Sequence, residues 1–483
     1  MQIKKFLLFK KHLLNNFIKI QGVQSINLVG SFWKNPVTSN YRDIDIVIVL
    51  DSLNLKKFNG CEDFIKKINL SKYGLKKYKI QINNTFGPLK FDIKNHIVFH
   101  LMVYDLKSHY AHAVRSPFTC LDWERTKTYK GKSLKTILTP NKLQFKDFFS
   151  SRRGTEEYLK DMARDNITYR EYFFSKNKIF LKKKKFKIKA FEKKEFYYHI
   201  SKNLIFNYYK LIKQKNILPN KTQYDSILKK IFKQNKLIIN RFHLLFTAKN
   251  KNLDLNIMIY SIWIKKFVKI FQKHLIKEEK SCKKIFFLRH GKTKLNDNSF
   301  LGVLRDPGII NNKIFIKKIK KFKTENISMI FSSKLSRATQ TAKSISSKKI
   351  IINNMLNEKN YGEAEGLNYL KLSKKFPYII KAWNKKKDPK FPNGESDKNV
   401  LIRINKFKKT LSKILRKKNL KGNLAVVTHN VVLRCLIGNE FKIPKSLWYK
   451  INIEHLEKIE FIYYQGKILP NINREKFLGG ILK

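Results

Sequence analysis

The stretch Phe286-Phe287-Leu288-Arg289-His290-Gly291 joins a buried strand to the groups of a phosphate site. The run from Lys284 to Leu288 has the length and apolar character of a buried strand, so the next three residues stand at its carboxyl end. Gly291 lets the backbone approach an anion, Arg289 offers a planar fork of donors, and His290 is a nucleophile when held as the neutral tautomer. The tripeptide alone is weak evidence, so its meaning depends on partners elsewhere in the chain.

Length and charge bound the possible architectures and partners. A chain of 483 residues is too long for one ordinary core, which predicts two or three domains. The formal net charge is +69, and such a field attracts nucleic acid, anionic lipid or phosphorylated substrates. The lysines are dispersed, however, and a composition biased towards lysine explains them equally well. Charge alone therefore does not predict a nucleic-acid partner.

The cysteines and the hydropathy pattern indicate a cytoplasmic protein. The four cysteines lie far apart and form no CxxC pair, which argues against a zinc knuckle or a disulfide framework. The most apolar long stretch, residues 253 to 271, is interrupted by three lysines, so no membrane span is predicted. The first twenty residues are predicted to form an amphipathic helix rather than a signal peptide.

Three later segments match the first stretch in order. A predicted strand, Ile327 to Ser332, leads to Ser333 through Ala342, which contains Arg337. Met355 to Gly366 contains Glu358, and a predicted strand from Asn423 to Thr428 ends at His429. Alternating strand and helix patterns predict a sheet with helices on both faces. Ligands bind at the carboxyl edge of such sheets, so we expect the segments to meet there.

In this order the motifs resemble the histidine phosphatase superfamily, with its three-layer α/β/α phosphoglycerate mutase-like fold, over residues 283 to 440. The resemblance implies that His290 attacks phosphorus and carries the phosphoryl group. Arg289, Arg337 and His429 would surround the phosphoryl oxygens. Glu358 would protonate the leaving oxygen and then activate water. The implied substrate is a small phosphorylated metabolite, and no cofactor is required.

Thr293 and Asn296 are predicted to add neutral hydrogen bonds in the same pocket. Differences from the superfamily's mutases indicate which reaction is favoured. Lys359 and Asn360 stand where mutases carry Arg and His, and a lysine does not replace an arginine that binds in a bidentate manner. The stretch from Phe391 to Ser396 resembles phosphatase-type relatives instead. Hydrolysis is therefore favoured, and a phosphoglycerate mutase is the alternative.

A second constellation lies near the N-terminus. A predicted strand, Ser25 to Val29, runs into Gly30 and Ser31, and Asp43 and Asp45 share one face of the next strand. Two aligned carboxylates on a buried strand are unfavourable unless a cation lies between them. Mg²⁺ shared with substrate phosphates suits this pattern, and the Gly-Ser turn supplies backbone donors.

This pattern resembles the polymerase-beta-like nucleotidyltransferase superfamily. The resemblance implies a mixed sheet in which Gly30 and Ser31 hold a nucleoside triphosphate while Asp43 and Asp45 carry Mg²⁺. The family uses a third carboxylate on a later strand. Asp92 is the first candidate for that position, and Asp105 is the second.

Between these parts, helical spacing predicts a bundle over residues 151 to 281, and the lysine run from 181 to 189 is either a solvated linker or a helical arm. The predicted domains are residues 1–150, 151–281 and 282–483. The leading hypothesis is a bifunctional protein with a phosphatase and a Mg²⁺-dependent nucleotidyltransferase. One alternative has an inactive N-terminal module that binds nucleotide or RNA. Another is an RNA-binding protein with an inert His290.

Overall fold

A computed structural model describes residues 2–37, 42–87, 95–137, 142–150, 156–176, 178–233, 235–251, 253–295, 299–320, 322, 325–417 and 421–482. The chain divides into two compact units. The first contains Met1–Leu143 and Asp147–His274, and the second contains Gln144–Lys146 and Leu275–Lys483. The observed division thus falls a few residues before the predicted start of the C-terminal domain, whereas the predicted boundary after residue 150 lies within the first unit.

The first unit begins with a five-stranded mixed sheet and its covering helices. Strand order is β3-β4-β2-β1-β5, with β2 and β3 parallel to β4 and with β1 antiparallel to both of its neighbours. The elements are α1 (Ile3–Phe17), β1 (Val23–Val29), β2 (Asp43–Leu50), α2 (Leu55–Lys66), β3 (Lys79–Asn83), β4 (His96–Asp105), α3 (Leu106–Arg115), α4 (Pro117–Trp123) and β5 (Tyr129–Gly131).

The amphipathic helix predicted at the N-terminus is confirmed. Helix α1 buries Phe6, Phe9, Leu13 and Phe17, which recur every three or four residues and so line one face. These side chains join the core that also contains the inward residues of β1, β2 and β4.

Among the described residues, the rest of the first unit consists of helices, one hairpin and the connecting loops. Its elements are α5 (Asp147–Ser150), α6 (Glu156–Ala163), β6 (Asn166–Ser175), β7 (Lys178–Lys187), α7 (Ala190–Lys213), α8 (Lys221–Phe232) and α9 (Lys236–Lys251), followed by α10 (Ile257–Ser281), which runs on into the second unit. The helical prediction holds from residue 190 onward but is wrong for residues 166 to 187. There β6 and β7 form an antiparallel ribbon, because β-branched and aromatic residues favour a pleated surface over a helix.

The second unit is built on a six-stranded sheet of order β10-β9-β11-β8-β12-β13. Its elements are β8 (Lys283–Arg289), α11 (Lys313–Lys320), β9 (Ile327–Ser332), α12 (Ser336–Ile345), β10 (Ile350–Ile352), α13 (Tyr369–Lys375), α14 (Pro377–Asn384), α15 (Asp397–Lys417), β11 (Asn423–Thr428), α16 (Asn430–Glu440), β12 (Lys458–Tyr464), β13 (Lys467–Pro470) and α17 (Arg474–Leu482). The predicted strands at 327–332 and 423–428 are confirmed.

The parallel strands of this sheet bring the motifs together. Strand β11 lies between β8 and β9, and in this register Thr428 faces Arg289 while Val427 faces Ser332. The residues that follow these three strands therefore meet at one carboxyl edge. Within the described ranges, no helix is both long and apolar enough to cross a membrane.

Candidate active site

The imidazole of His290 is buried directly after β8, with only 3% of the residue exposed. Its Nδ1 lies 2.7 Å from the carbonyl oxygen of Gly291. A carbonyl only accepts hydrogen bonds, so Nδ1 carries the proton and Nε2 keeps its lone pair. Burial and then the positive charge of Arg337 lower the pKa of His290 well below its ordinary value. The ring is therefore neutral at physiological pH, with Nε2 available as a nucleophile.

The second imidazole, His429, follows β11 and lies beside the first, with ring centroids 4.9 Å apart. Its Nε2 is 2.9 Å from the hydroxyl of Ser333. That hydroxyl donates to the side-chain oxygen of Asn357 at 2.9 Å, so it can only accept from the imidazole. The other nitrogen, Nδ1, is buried without a hydrogen-bond partner in the described part of the chain. Because Nε2 carries the proton, Nδ1 is an acceptor in the neutral ring, and it must take up a proton before it can donate to an anion.

Two arginines, the fully buried Arg337 and the half-buried Arg289, supply the positive charge of the candidate site. Arg337 is fully buried, donating to the carbonyl of Gly302 at 2.7 Å and pairing with Asp306 at 3.2 Å. Arg289 donates to the carbonyl of Ile453 at 2.8 Å, and burial lowers its pKa to about 10. Both guanidiniums stay charged at neutral pH, and the Nε of each is buried without a partner among the described residues. An anion with several oxygens would satisfy both groups.

The carboxyl group of Glu358 lies close enough to both guanidiniums to influence their pKa values. Only 6% of the residue is exposed, and its carboxylate accepts the backbone N–H of Lys359 at 2.9 Å. Burial raises the pKa of Glu358, although the Lys359 N–H and the charge of Arg337 oppose the rise. A raised pKa keeps the proton on the carboxyl group to a higher pH, which suits a general acid.

Arg403 on α15 fixes the backbone around this acid. Its guanidinium donates to the carbonyl of Met355 at 2.7 Å and to that of Glu358 at 3.1 Å. It also forms a bidentate pair with Glu395, with N···O distances of 2.9 and 3.1 Å. The sequence does not point to Arg403, because an arginine on an amphipathic helix looks like ordinary surface.

Glu365 organises the loop that carries partners of the buried arginine. Its carboxylate accepts backbone N–H groups of Gly302, Leu304 and Arg305 at 3.0, 3.0 and 2.6 Å. The carbonyls of Gly302 and Arg305 in turn accept from Arg337. The predicted segment ending in Gly366 thus contributes a structural carboxylate as well as the acid.

Of the two predicted neutral donors, Thr293 lies among the described residues and Asn296 does not. Thr293 is fully buried and forms an isolated bridge with Ile309, which places it in the loop after His290. Asn296 lies outside the described residues. Its proposed contact with the phosphoryl group remains a prediction.

A third histidine lies against the nucleophile and was not predicted from the sequence. The ring of His455 is centred 5.4 Å from that of His290, and its Nδ1 donates to the His290 carbonyl at 3.0 Å. Burial, with a smaller effect of the charge of Arg289, lowers its pKa to about 4. A single histidine in a loop carries no sequence pattern that would reveal this position.

The N-terminal constellation is assembled only in part. Gly30 adopts φ +65°, and a Cβ there would lie 1.8 Å from the carboxylate of Asp45, so the turn and this carboxylate are in contact. Asp43 and Asp45 are half-buried on one face of β2, and Ser31 lies in the turn after β1. Asp92 lies outside the described residues.

The second candidate for the third carboxylate, Asp105, lies at the opposite end of β4 from this pair. It faces Leu50 in the register with β2 and accepts the Ser108 backbone N–H at 2.8 Å as the cap of α3. It therefore does not join the aspartate pair.

In the register with β4, the residue opposite Asp45 is His100. Its Nδ1 is 2.9 Å from the Asp45 carboxylate, and its Nε2 is 3.0 Å from the Thr85 carbonyl. Because both partners are acceptors, both ring nitrogens carry protons, and the ring is an imidazolium. Burial lowers the pKa of His100, but the hydrogen bond and charge of Asp45 outweigh burial and leave it raised.

This ion pair bears on the predicted magnesium site. The imidazolium already neutralises Asp45, whereas a divalent cation needs the full charge of its carboxylates. Among the residues that the structure describes, no group of three or more His, Cys, Asp or Glu is placed to hold a metal ion. The described residues therefore fit Mg²⁺ poorly.

Residues 285–471 match the family model described as the histidine phosphatase superfamily (branch 1). The match covers the C-terminal region in which the motifs predicted this superfamily. The matched residues lie in the second unit, so the nucleotidyltransferase resemblance of the first remains a prediction.

Individual relatives are similar over part of their length. The chain is 28% identical over 192 residues to fructose-2,6-bisphosphatase of Saccharomyces cerevisiae, which is 38% of this chain and 41% of the yeast protein. It is 29% identical over 163 residues to 6-phosphofructo-2-kinase/fructose-2,6-bisphosphatase of Arabidopsis thaliana, which is 32% of this chain and 20% of the plant protein. The chain therefore spans less than half the length of either curated relative.

Solved structures with similarity include mycobacterial hydrolase 1, at 18% identity and a TM-score of 0.35, covering 40% of this chain and 97% of that one. Another is a phosphoserine phosphatase from Entamoeba histolytica, at 22% identity and a TM-score of 0.34, covering 39% of this chain and 95% of that one.

Proposed function

We propose that the second unit hydrolyses a small phosphomonoester through a phosphohistidine at Nε2 of His290. The main support is the hydrogen bond from Nδ1 to the Gly291 carbonyl, which leaves Nε2 unprotonated. Further support is that Arg337 and Arg289 are near enough to lower the pKa of His290 and that the His429 ring is centred 4.9 Å from the His290 ring. A transferring phosphoryl group needs such cations and hydrogen-bond donors around it.

The reaction proceeds in two displacements. In the first, the Nε2 lone pair of His290 forms an N–P bond while the bond from phosphorus to the substrate oxygen breaks, and Glu358 gives its proton to that oxygen. In the second, the Glu358 carboxylate takes a proton from water, the water oxygen attacks phosphorus, and the N–P bond breaks. The products are an alcohol and inorganic phosphate, and the enzyme returns to its starting state.

We propose a sugar carrying two phosphates as the substrate class. Two relatives named for fructose-2,6-bisphosphatase activity support this choice. A further guanidinium, that of Arg434 on α16, is near enough to Glu358 for the carboxylate to raise its pKa against the stronger lowering by burial. Its Nε donates to the Ile451 carbonyl at 3.0 Å. Such a cation suits a second phosphate beside the reacting one.

The contacts of Lys359 support hydrolysis rather than mutase chemistry. Its ammonium pairs with Asp397 at 2.8 Å and lies 4.8 Å from the centre of the Phe391 ring. The ammonium group is thus already paired within the protein. It is not available to bind a phosphorylated acceptor, which a mutase would have to hold.

The test is turnover of p-nitrophenyl phosphate and a panel of sugar bisphosphates by the full chain. His290→Ala should lower kcat by at least about 10⁴-fold, since removing a nucleophile leaves only the binding contribution. Rapid acid-free quenching of the wild type should trap a phosphoryl group on the protein. Sustained turnover by the folded His290→Ala variant would reject the mechanism, and turnover of monophosphates alone would reject only the bisphosphate class.

The first unit has a second candidate function, nucleotide binding with or without transfer. We propose that it binds a nucleoside triphosphate at Gly30 and Ser31 without transferring it, because His100 already neutralises Asp45. The Mg²⁺-dependent transferase is the alternative. Incubation with labelled nucleoside triphosphates and Mg²⁺ should give no incorporation, and binding should persist in excess EDTA. Incorporation that is lost in Asp43→Asn would establish the transferase instead.

A further inference from the structure

We propose that the ribbon formed by β6 and β7 is a binding platform for single-stranded nucleic acid. The proposal concerns the first unit and does not depend on the phosphatase chemistry. It starts from the two faces of the ribbon, which the register defines, because paired residues of antiparallel strands point to the same side.

On one face of the ribbon, the aromatic residues of β6 pack against the unit itself, whereas the β7 residues on that face are exposed. Tyr172 and Phe174 on β6 point to this side, and the Tyr172 ring lies 6.1 Å from that of Phe58 and 4.9 Å from that of Phe86. Phe174 is centred 5.3 Å from Phe58. These contacts hold the ribbon in place, so the opposite face is presented on a fixed support.

The opposite face combines aromatic rings with cations. Phe173, Phe180 and Phe186 are 38, 43 and 40% exposed, which is unusual for phenylalanine on a well-packed strand. Phe173 and Phe180 are paired across the strands with ring centroids 5.0 Å apart. Alternation along β7 places three lysines on the same side, and all are exposed: Lys178, Lys182 and Lys184.

The positive charge on β7 is concentrated in one short strand. Residues 178 to 187 contain six lysines and no acidic residue. On the exposed face, Glu171 of β6 pairs with Lys184, so the local balance is still positive. Lys182 lies 3.3 Å from the centre of the Phe173 ring, which shows that cation and ring occupy one surface.

This combination fits one partner chemistry best. Aromatic faces stack on unpaired bases while lysines neutralise the phosphates, and a strand surface that carries both kinds of side chain allows both contacts at once. Lysines on an edge strand also discourage aggregation, but that role does not require exposed phenylalanines beside them. A lipid surface is the less suitable partner, because the tip of the ribbon carries Ser175, Lys176 and Lys178 rather than apolar residues.

The test measures fluorescence anisotropy of a labelled 20-nucleotide oligouridylate with the full chain from 50 to 300 mM salt. Phe173→Ala/Phe180→Ala should weaken binding at least tenfold with an unchanged salt slope, because stacking is lost and charge is kept. Lys178→Gln/Lys182→Gln should weaken binding and reduce the slope of log K against log salt by about 1.4. The matched control is Lys221→Gln/Lys229→Gln, two exposed lysines of α8, which should change affinity less than twofold.

Each other outcome counts against the proposal. Wild-type affinity in Phe173→Ala/Phe180→Ala, or equal weakening by the α8 control, would mean that diffuse charge binds the oligonucleotide. Binding to vesicles containing phosphatidylserine, without binding to the oligonucleotide, would assign the face to lipid. Phosphatase turnover and the circular dichroism spectrum should be unchanged in all three variants, which separates loss of binding from loss of fold.

Discussion

At the scale of single residues, burial of the proposed acid Glu358 favours a protonated carboxyl group but lowers stability at neutral pH. Its folded-state pKa is raised by burial, so the protonated form is favoured in the folded protein. The resulting stabilisation is present at pH values below the ordinary carboxyl pKa and is lost as the pH rises through the raised pKa. At neutral pH, each unit by which folding raises the pKa of Glu358 lowers the free energy of unfolding by about 1.4 kcal/mol.

Glu358→Gln should therefore unfold at a higher denaturant concentration than wild type at pH 7, and the difference should vanish below about pH 4. Equilibrium urea unfolding at several pH values measures this. Glu363→Gln is the control, because Glu363 is exposed and lies in the same segment. A variant less stable than wild type at pH 7 would show that the carboxylate's attraction to the arginines dominates over its desolvation.

The same substitution has a kinetic signature. Wild-type kcat/KM should fall as the pH rises through the raised pKa of Glu358, since only the protonated acid serves the leaving oxygen. Glu358→Gln should lack this limb and slow alkyl phosphates by about 10²- to 10³-fold, with a smaller effect on p-nitrophenyl phosphate. Equal slowing of both substrate classes would argue against an acid role.

At the scale of elements, helix α15 holds the loop that carries the proposed acid Glu358, through hydrogen bonds from Arg403. Arg403→Lys keeps the charge but cannot form the bidentate pair with Glu395 and both carbonyl contacts. We expect kcat for alkyl phosphates to fall about tenfold, with little change for p-nitrophenyl phosphate, because the proton donor is displaced while the nucleophile stays. Arg416→Lys, at the exposed end of the same helix, should behave as wild type. Equal losses with both substrates would indicate a general structural role.

Elements also show what the sequence could and could not reveal. Three buried strands of the second unit were predictable, because each is a short apolar run. Each run is followed directly by a motif that contains a proposed site residue: Arg-His-Gly, the segment with Arg337, and His429. The ribbon at 166–187 was not, since its lysine run obscured the alternation of its aromatic residues. His100 was not predictable either, because only the pairing of β2 with β4 brings it to Asp45.

Supporting residues were the least predictable part of the active site. Arg403, Glu395 and His455 act through backbone carbonyls or through one another, and those contacts depend on loop conformations. Residues proposed to contact the phosphoryl group must be of particular types, because the chemistry requires them. Residues that only hold a loop in place can be of many types. The candidate catalytic residues could therefore be proposed from the sequence, but the residues that support them could not.

At the scale of the whole molecule, the net charge of +69 should accelerate the capture of anionic substrates. Steering depends on the product of the two charges and is screened within about 8 Å at 0.15 M ionic strength. We therefore expect kcat/KM for a sugar bisphosphate to fall several-fold between 20 and 300 mM salt, with a smaller fall for p-nitrophenyl phosphate. Because steering affects encounter and not chemistry, kcat should hardly change. A salt effect on kcat alone, or equal effects on both substrates, would show that the dispersed lysines do not guide substrate.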